Sequence, residues 1–222
     1  MRTTLLRKNL MALSGLFLVL FLVVHLVGNL QLLVPPGELG GTFNRYAYFM
    51  TSQPIIKAVS YLLYASIVLH VVLSVYITLR NRRAARASGA YAYDRRGAAS
   101  PWYARSMGWL GLVVLVFLVI HLRDFWYVYK FEDLGLDVAG DRDLYTLVIA
   151  AFGRPLYVLF YVVAALALGF HLLHGVASAF KTLGAYPPRL YRLLYGVSVG
   201  LTALLTLGFA ALPVWVYLNY HL

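Results

Sequence analysis

Residues 10–34, LMALSGLFLVLFLVVHLVGNLQLLV, contain no Asp, Glu, Lys or Arg. The hydrocarbon core of a bilayer is about 30 Å thick, and an α-helix needs roughly 20 apolar residues to cross it. This stretch therefore predicts a transmembrane helix. It is too long for a cleaved signal peptide and lacks the small-residue cleavage pattern, so we expect it to remain in the mature protein.

Four more apolar runs of similar length follow along the chain. The five predicted spans are Leu10–Val34, Ile55–Leu79, Met107–Tyr129, Leu156–Phe180 and Leu193–Leu218. The 222 residues are 62% hydrophobic and 12% charged, which is outside the usual balance of soluble domains. No connector is long and apolar enough to bury a core of its own, although residues 42–53, TFNRYAYFMTSQ, predict a short interfacial helix. We therefore predict one all-α domain over residues 1–222, a polytopic membrane protein built as a bundle of five transmembrane helices.

Lysine and arginine are distributed unequally between the connectors, and this predicts the orientation. If the chain alternates across the membrane, one side holds the N-terminus and the connectors at 80–105 and 181–192. That side carries 13 of the 19 basic residues and one of the eight acidic residues. Connectors rich in Lys and Arg are retained in the cytoplasm, so we predict a cytoplasmic N-terminus and an outside C-terminus. The net charge of +11 then fits contact with anionic membrane lipid, and we expect no nucleic-acid partner.

Histidine is the residue type that offers chemistry within these spans. The chain has no cysteine, which excludes disulfides, thiolate metal sites, iron–sulfur clusters and covalently attached c-type haem within it. Five of the six histidines lie in the predicted spans: His25, His70, His121, His171 and His174. A single one would most simply be a neutral imidazole bonded to a neighbouring helix. Ionisable groups inside a bilayer are costly and usually functional, so histidines on four helices predict a shared role.

The polar residues that bracket each span give the depth of its histidine. His25 and His121 lie nearer the outer edge, whereas His70 and His171 lie nearer the inner edge. An offset of six or seven residues places these two levels about 10 Å apart. Two imidazoles at one depth can ligate one haem iron in a bundle core, whereas zinc would need three or four ligands. The sequence therefore predicts an outer haem b held by His25 and His121, and an inner haem b held by His70 and either His171 or His174.

Depth favours His171 over His174, because His174 lies about 4.5 Å further toward the inner edge. We expect His174 to lie beside the ligands, for example hydrogen-bonded to a haem propionate. Glycines in the spans are expected to permit close helix packing, or else to admit the face of a porphyrin. These glycines are Gly15, Gly28, Gly108, Gly111, Gly169 and Gly175.

Three segments resemble a known family: HLVGNLQLL at 25–33, MGWLGLVVLVFLVIHLRDFWY at 107–127 and FHLLHGVASAFKTLG at 170–184. They are similar to the five-helix, two-haem cytochrome b anchor of succinate:quinone oxidoreductases and quinol:fumarate reductases. The resemblance extends from about residue 9 into the last span. The axial ligands of that family lie on its first four helices, and they correspond here to His25, His70, His121 and His171.

The resemblance implies that the chain is one subunit of an enzyme complex in a respiratory chain. An iron–sulfur subunit and a flavoprotein subunit with FAD are expected on the cytoplasmic face of a bacterial or archaeal plasma membrane. Succinate or fumarate would react on the flavoprotein, as in the tricarboxylic acid cycle. This chain would bind two haem b groups and conduct electrons to or from a membrane quinone, expected to be menaquinone.

The residues around the quinone are predicted less directly. Polar side chains at the outer end of the spans are the candidates: Asn29, Gln31, Gln53, Arg123 and Asp124. Each also has a plainer interpretation, as an interfacial cap or a surface ion pair. Two other functions stay open. One is the cytochrome b subunit of a different membrane dehydrogenase, such as a hydrogenase or formate dehydrogenase, and the other is a haem-free transporter whose histidines relay protons.

Overall fold

A computed structural model describes residues 2–33, 39–87, 101–184 and 187–222, and these residues are almost entirely helical. The helices are α1 (Arg2–Asn29), α2 (Leu39–Ser52), α3 (Pro54–Ala87), α4 (Met107–His121), α5 (Leu144–Phe152), α6 (Pro155–Thr182) and α7 (Pro188–Tyr220). A 3₁₀ segment, Leu30–Leu33, continues α1. A π-helical segment, Leu122–Tyr127, and a last turn, Val128–Phe131, continue α4. A single turn, Trp102–Arg105, precedes α4.

Five helices within the described residues are long and apolar enough to cross a membrane. They are Thr4–Leu33, Pro54–Ala84, Met107–Phe131, Pro155–Thr182 and Pro188–Tyr220. This confirms the predicted all-α, five-helix membrane fold, while the side on which each terminus lies stays a prediction from charge. The helix α3 runs past the predicted limit Leu79 to Ala87, because good helix formers such as Ala and Arg extend a helix beyond the hydrocarbon. Val34, the predicted end of the first span, is outside the described residues.

The order in which the helices pack places four of them around a common interior. The helix α1 packs against α3 and α6, and α6 packs against α4, whereas α3 and α4 barely touch. The pairs α1 with α4 and α3 with α6 are therefore diagonal pairs across this four-helix arrangement. The helix α7 lies outside it, along α6 and against α1. Diagonal helices present side chains to each other across the bundle interior, which is where bundles hold cofactors.

The well-packed core lies between α1, α6 and α7. It contains buried Leu26 of α1, Leu172 of α6, and Leu205 and Val216 of α7. In contrast, no described residue from Met107 to Phe131 is buried, so α4 takes little part in this core.

The amphipathic helix α2 and the short helix α5 meet at one end of the bundle, which we call the outer end. The side chain of Asn44, 1% exposed, donates to Asp137 Oδ2 and Asp143 Oδ1, each at 3.1 Å, and accepts from the Tyr145 backbone N–H at 2.8 Å. Arg45 Nε donates to Asp141 Oδ2 at 2.6 Å. We call α2, residues 132–143 and α5 together the outer cap.

Asp143 is also the N-cap of α5, since its side chain accepts from the Thr146 backbone N–H at 3.1 Å. Burial by itself raises the pKa of Asp143, but the hydrogen bonds from Thr146 and Asn44 outweigh it and hold this pKa below its ordinary value. The predicted short helix at residues 42–53 is present within α2, which ends at Ser52, and Asn44 connects it to α5. Its position at the membrane interface stays a prediction.

Candidate functional site

Two histidines from diagonal helices meet near the outer end. His25 on α1 and His121 at the end of α4 have ring centroids 5.7 Å apart, with the ring planes at 88°. Phe21 stacks on His25 at 5.3 Å, and Phe117 stacks on His121 at 5.6 Å. These aromatic neighbours hold the two imidazoles in an apolar setting.

A second pair forms between the other two diagonal helices, nearer the inner end. His70 on α3 and His171 on α6 have ring centroids 6.4 Å apart, with the ring planes at 63°. His174 lies one turn further along α6, and its Nε2 is 3.2 Å from Ser178 Oγ on the same helix. Of the two histidines in FHLLHG, His171 is thus the one whose ring lies against His70.

Two glycines mark the level of the inner pair on the helices that carry the outer histidines. A Cβ at Gly15 of α1 would lie 3.3 Å from His70, and a Cβ at Gly111 of α4 would lie 3.5 Å from His171. On each helix the outer histidine follows ten residues later, at His25 and His121. Ten residues correspond to about 15 Å along a helix, which places the outer histidines at a level separate from the inner pair. The separation of about 10 Å between the two levels stays a prediction.

Hydroxyl groups contact one nitrogen of a histidine in each pair. Ser14 Oγ is 3.3 Å from His70 Nδ1, and it donates its own hydrogen to the Met11 carbonyl at 3.1 Å. The His70 Nδ1–H is therefore the donor in this contact, which leaves the Nε2 lone pair free. The His121 Nδ1 likewise lies 3.2 Å from the Tyr161 hydroxyl. Histidines that ligate metals commonly have one nitrogen held in this way while the other binds.

Each level offers two imidazoles, and this donor set fits a haem iron. An imidazole nitrogen binds a transition metal at about 2 Å, so rings on opposite sides of one iron have centroids about 6 Å apart. The observed separations are 5.7 and 6.4 Å. A porphyrin supplies the equatorial ligands, so two protein ligands complete the coordination. Zinc needs three or four protein ligands, and in the described part of the chain no group of three or more His, Cys, Asp or Glu could hold a metal.

Two further observations at the inner pair support this fit. The His171 Nδ1 is buried and has no hydrogen-bond partner, so one ring nitrogen of this pair remains available to a ligand. The glycines Gly15 and Gly111 lie beside the two inner rings, where a larger side chain would occupy the space around the imidazoles. The inner pair therefore has an open nitrogen, and its two rings lie against glycines of the neighbouring helices.

The other span glycines separate into two groups. A Cβ at Gly28, Gly108 or Gly169 would meet Tyr46, Thr78 or Thr206 respectively, which indicates close packing. Nothing lies within 4 Å of a Cβ built at Gly175. Close helix packing is thus present at three of these glycines, whereas Gly15 and Gly111 lie against the inner histidine pair. The use of a glycine to admit a porphyrin face stays a prediction.

The five candidate quinone residues all lie at the outer end, but the structure brings only two of them together. Arg123 Nε donates to Asp124 Oδ1 at 2.6 Å. Asn29 instead uses its side chain within α1, donating to the His25 carbonyl at 2.8 Å. Gln31 in the 3₁₀ segment and Gln53 between α2 and α3 are half-buried. Their role toward a quinone stays a prediction.

Sequence reasoning missed Ser14 and Tyr161, which contact the predicted ligands. Ser14 carried a usable signal, because it precedes His25 by eleven residues, about three turns, and so shares its face of α1. Tyr161 carried none of this kind, since its contact with His121 joins residues on two different helices. Such a contact depends on how α4 and α6 are rotated against each other.

The fold and these contacts define a class: a five-helix membrane protein with two histidine pairs on diagonal helices. No protein-family model, curated protein or solved structure matched the chain. A more specific function therefore depends on the geometry of the pairs and on the motifs in the sequence.

Proposed function

We propose that this chain is the di-haem cytochrome b membrane anchor of a succinate dehydrogenase or fumarate reductase complex. It transfers electrons between cytoplasmic iron–sulfur and flavin subunits and a membrane quinone. The observation that carries the proposal is the meeting of His25 with His121 and of His70 with His171, each across a diagonal of the bundle. Dicarboxylate oxidation or reduction takes place on the flavoprotein, so this chain contributes electron transfer and the quinone reaction.

Haem b supplies a one-electron carrier when it is bound, and the residues of this chain hold and orient it. His25 and His121 would hold the outer haem, and His70 and His171 would hold the inner haem. Ser14 holds the His70 ring with Nε2 free, and the flanking phenylalanines exclude water from the outer pair. Ligand identity, hydrogen bonds to the ligands and burial are the means by which a protein sets haem potentials.

The choice of complex rests on the three motifs that resemble the anchor family and on charge. The predicted cytoplasmic connectors are basic, which favours docking of soluble subunits beside the inner pair. With haem bound, the chain would conduct electrons in either direction between those subunits and the quinone, expected to be menaquinone. When an electron crosses the whole membrane, its free energy changes by about 2.3 kcal/mol per 100 mV of membrane potential.

The first experiment asks whether the chain binds haem. It should be expressed with an ample supply of haem, purified in detergent, reduced with dithionite and examined by absorption and pyridine haemochrome assay. We expect two b-type haems per chain and a low-spin spectrum. A colourless protein would contradict the proposal and favour a transporter in which the same histidines relay protons.

The second experiment assigns the ligands. We expect His70→Ala and His171→Ala to lose the inner haem, and His25→Ala and His121→Ala to lose the outer one. His174→Ala is the matched control, since this histidine lies one turn from His171 and should leave haem content near that of the unaltered chain. Loss of the outer haem alone from His70→Ala would show that the pairing is wrong.

The third experiment identifies the complex. A tagged chain purified from its own membrane in mild detergent should bring with it a flavoprotein and an iron–sulfur protein that reduce a quinone with succinate, or reduce fumarate with quinol. Copurification of a nickel or molybdenum subunit would instead indicate a hydrogenase or formate dehydrogenase.

A further inference from the structure

A series of hydrogen bonds leads from His121 to the outer surface. His121 Nδ1 lies 3.2 Å from the Tyr161 hydroxyl, which lies 3.2 Å from the Tyr157 hydroxyl. Tyr157 donates to Asp124 Oδ2 at 2.7 Å, and Asp124 Oδ1 accepts from Arg123 at 2.6 Å. We call Tyr161, Tyr157 and Asp124 the tyrosine relay.

The carboxylate at its end determines the direction of every bond in the tyrosine relay. A carboxylate is an acceptor, so Tyr157 uses its single hydrogen on Asp124. Tyr157 can then only accept from Tyr161, and Tyr161 has no hydrogen left for His121. The His121 Nδ1–H must therefore be the donor to Tyr161. This leaves the Nε2 of His121 as the nitrogen with a free lone pair.

The inner pair has no comparable arrangement at His70. The His70 Nδ1–H donates to Ser14, and Ser14 donates to a neutral backbone carbonyl at Met11. The tyrosine relay instead ends on a carboxylate whose side chain is 21% exposed, while the guanidinium of Arg123 is 71% exposed and so is screened by water. Tyr161 is 8% exposed, so the middle of the relay lies in a low-dielectric setting, where hydrogen bonds polarise one another.

We propose that Tyr161, Tyr157 and Asp124 are positioning residues that fix the His121 ring and increase its electron donation to the outer haem iron. This inference rests on the proposed function. An acceptor on Nδ1–H raises the basicity of the other ring nitrogen, and a carboxylate at the end of the relay strengthens that effect. A more basic ligand stabilises ferric over ferrous iron, so the tyrosine relay lowers the midpoint potential of the outer haem.

Tyr161→Phe tests this directly, because it removes the hydroxyl and keeps the ring that packs among Phe117, Phe125 and Phe152. The two haem potentials are measured by redox titration of the purified chain, followed by optical absorption. The His25→Ala and His70→Ala variants identify which potential belongs to which haem. We expect Tyr161→Phe to shift the outer potential to a more positive value and to leave the inner one unchanged.

The matched control is Tyr145→Phe, which removes another tyrosine–tyrosine hydrogen bond at the outer end, the 2.7 Å bond from Tyr145 to Tyr220. It should move neither potential. Tyr157→Phe and Asp124→Asn should shift the outer potential in the same direction as Tyr161→Phe but by less, since they act one and two bonds further from His121. If Tyr161→Phe fails to retain the outer haem, the outer potentials of Tyr157→Phe and Asp124→Asn provide the test, because neither side chain is hydrogen-bonded to His121.

The outcomes separate this inference from the proposed function. An unaltered chain without haem contradicts the proposed function. A chain with two haems whose outer potential does not change in Tyr157→Phe or Asp124→Asn contradicts only the role of the tyrosine relay. Equal shifts of both haems in these variants would also overturn it, because they would indicate a general structural effect.

Discussion

Gly15→Val tests the geometry of the inner pair without altering any histidine. Gly15 lies on α1, where a Cβ would stand 3.3 Å from His70 Cε1 and 3.7 Å from His70 Nδ1. Valine adds this carbon and two methyl groups against the ring. Because α1 does not carry an inner ligand, a simple count of histidines predicts no effect on the inner haem. The contact between Gly15 and His70 instead predicts a selective loss of the inner haem.

The magnitude follows from the cost of overfilling a packed site. Extra methyl groups in such a site cost about 1–3 kcal/mol. At 1.36 kcal/mol per tenfold change, this corresponds to about 5- to 150-fold weaker retention of the inner haem. The helix itself should tolerate the change, since valine has a somewhat better helix propensity than glycine. The outer haem should be retained, because His25 lies about 15 Å further along α1.

The assay is haem content per chain after purification, with the two haems resolved by redox titration. Gly200→Val is the control, since no atom lies within 4 Å of a Cβ built at Gly200. Loss of the outer haem, or haem retention equal to that of Gly200→Val, would refute the placement of Gly15 against the inner pair.

Three further predictions concern stability, measured as thermal unfolding in detergent. Asn44→Ala should lower the free energy of unfolding by about 3 kcal/mol, because two acceptors and one donor lose their buried partner. The control is Asn219→Ala, which should change the free energy of unfolding little, since Asn219 is exposed and bonded within α7. Because the pKa of Asp143 is lower in the folded protein, its carboxylate stabilises the outer cap above pH 3.8. That stabilisation is lost as the pH falls further and the carboxylate is protonated. Asp143→Asn should therefore reduce the acid sensitivity of unfolding, and an unchanged pH dependence would contradict the assignment. Gly169→Ala should destabilise the contact of α6 with α7 by about 1–3 kcal/mol, and Thr206→Ala in the same chain should restore part of the loss.

Much of the fold was predictable because a bilayer imposes a simple rule on sequence. A helix must present roughly 20 apolar residues to cross it, so runs of that length mark the spans directly. The ends were predicted less well, since α3 continues to Ala87 through arginines that a hydropathy count excludes. The short helix α5 and the π-helical segment Leu122–Tyr127 were not predicted, because neither has a distinctive length or pattern.

The sequence by itself determined which four histidines form the candidate site. Depth along a helix increases by about 1.5 Å per residue whatever the helix packs against, so counting alone separated His25 and His121 from His70 and His171. It also favoured His171 over His174, and the ring contact with His70 agrees with that choice.

Only the tertiary structure decided which helices are diagonal and which hydroxyls hold the histidines. These properties depend on the rotation of each helix about its axis and on its neighbours. Ser14 and His70 are 56 residues apart in the chain, and His121 and Tyr161 are 40 apart. Contacts of this range arise only when whole helices pack, so they leave no periodic signal within any single span.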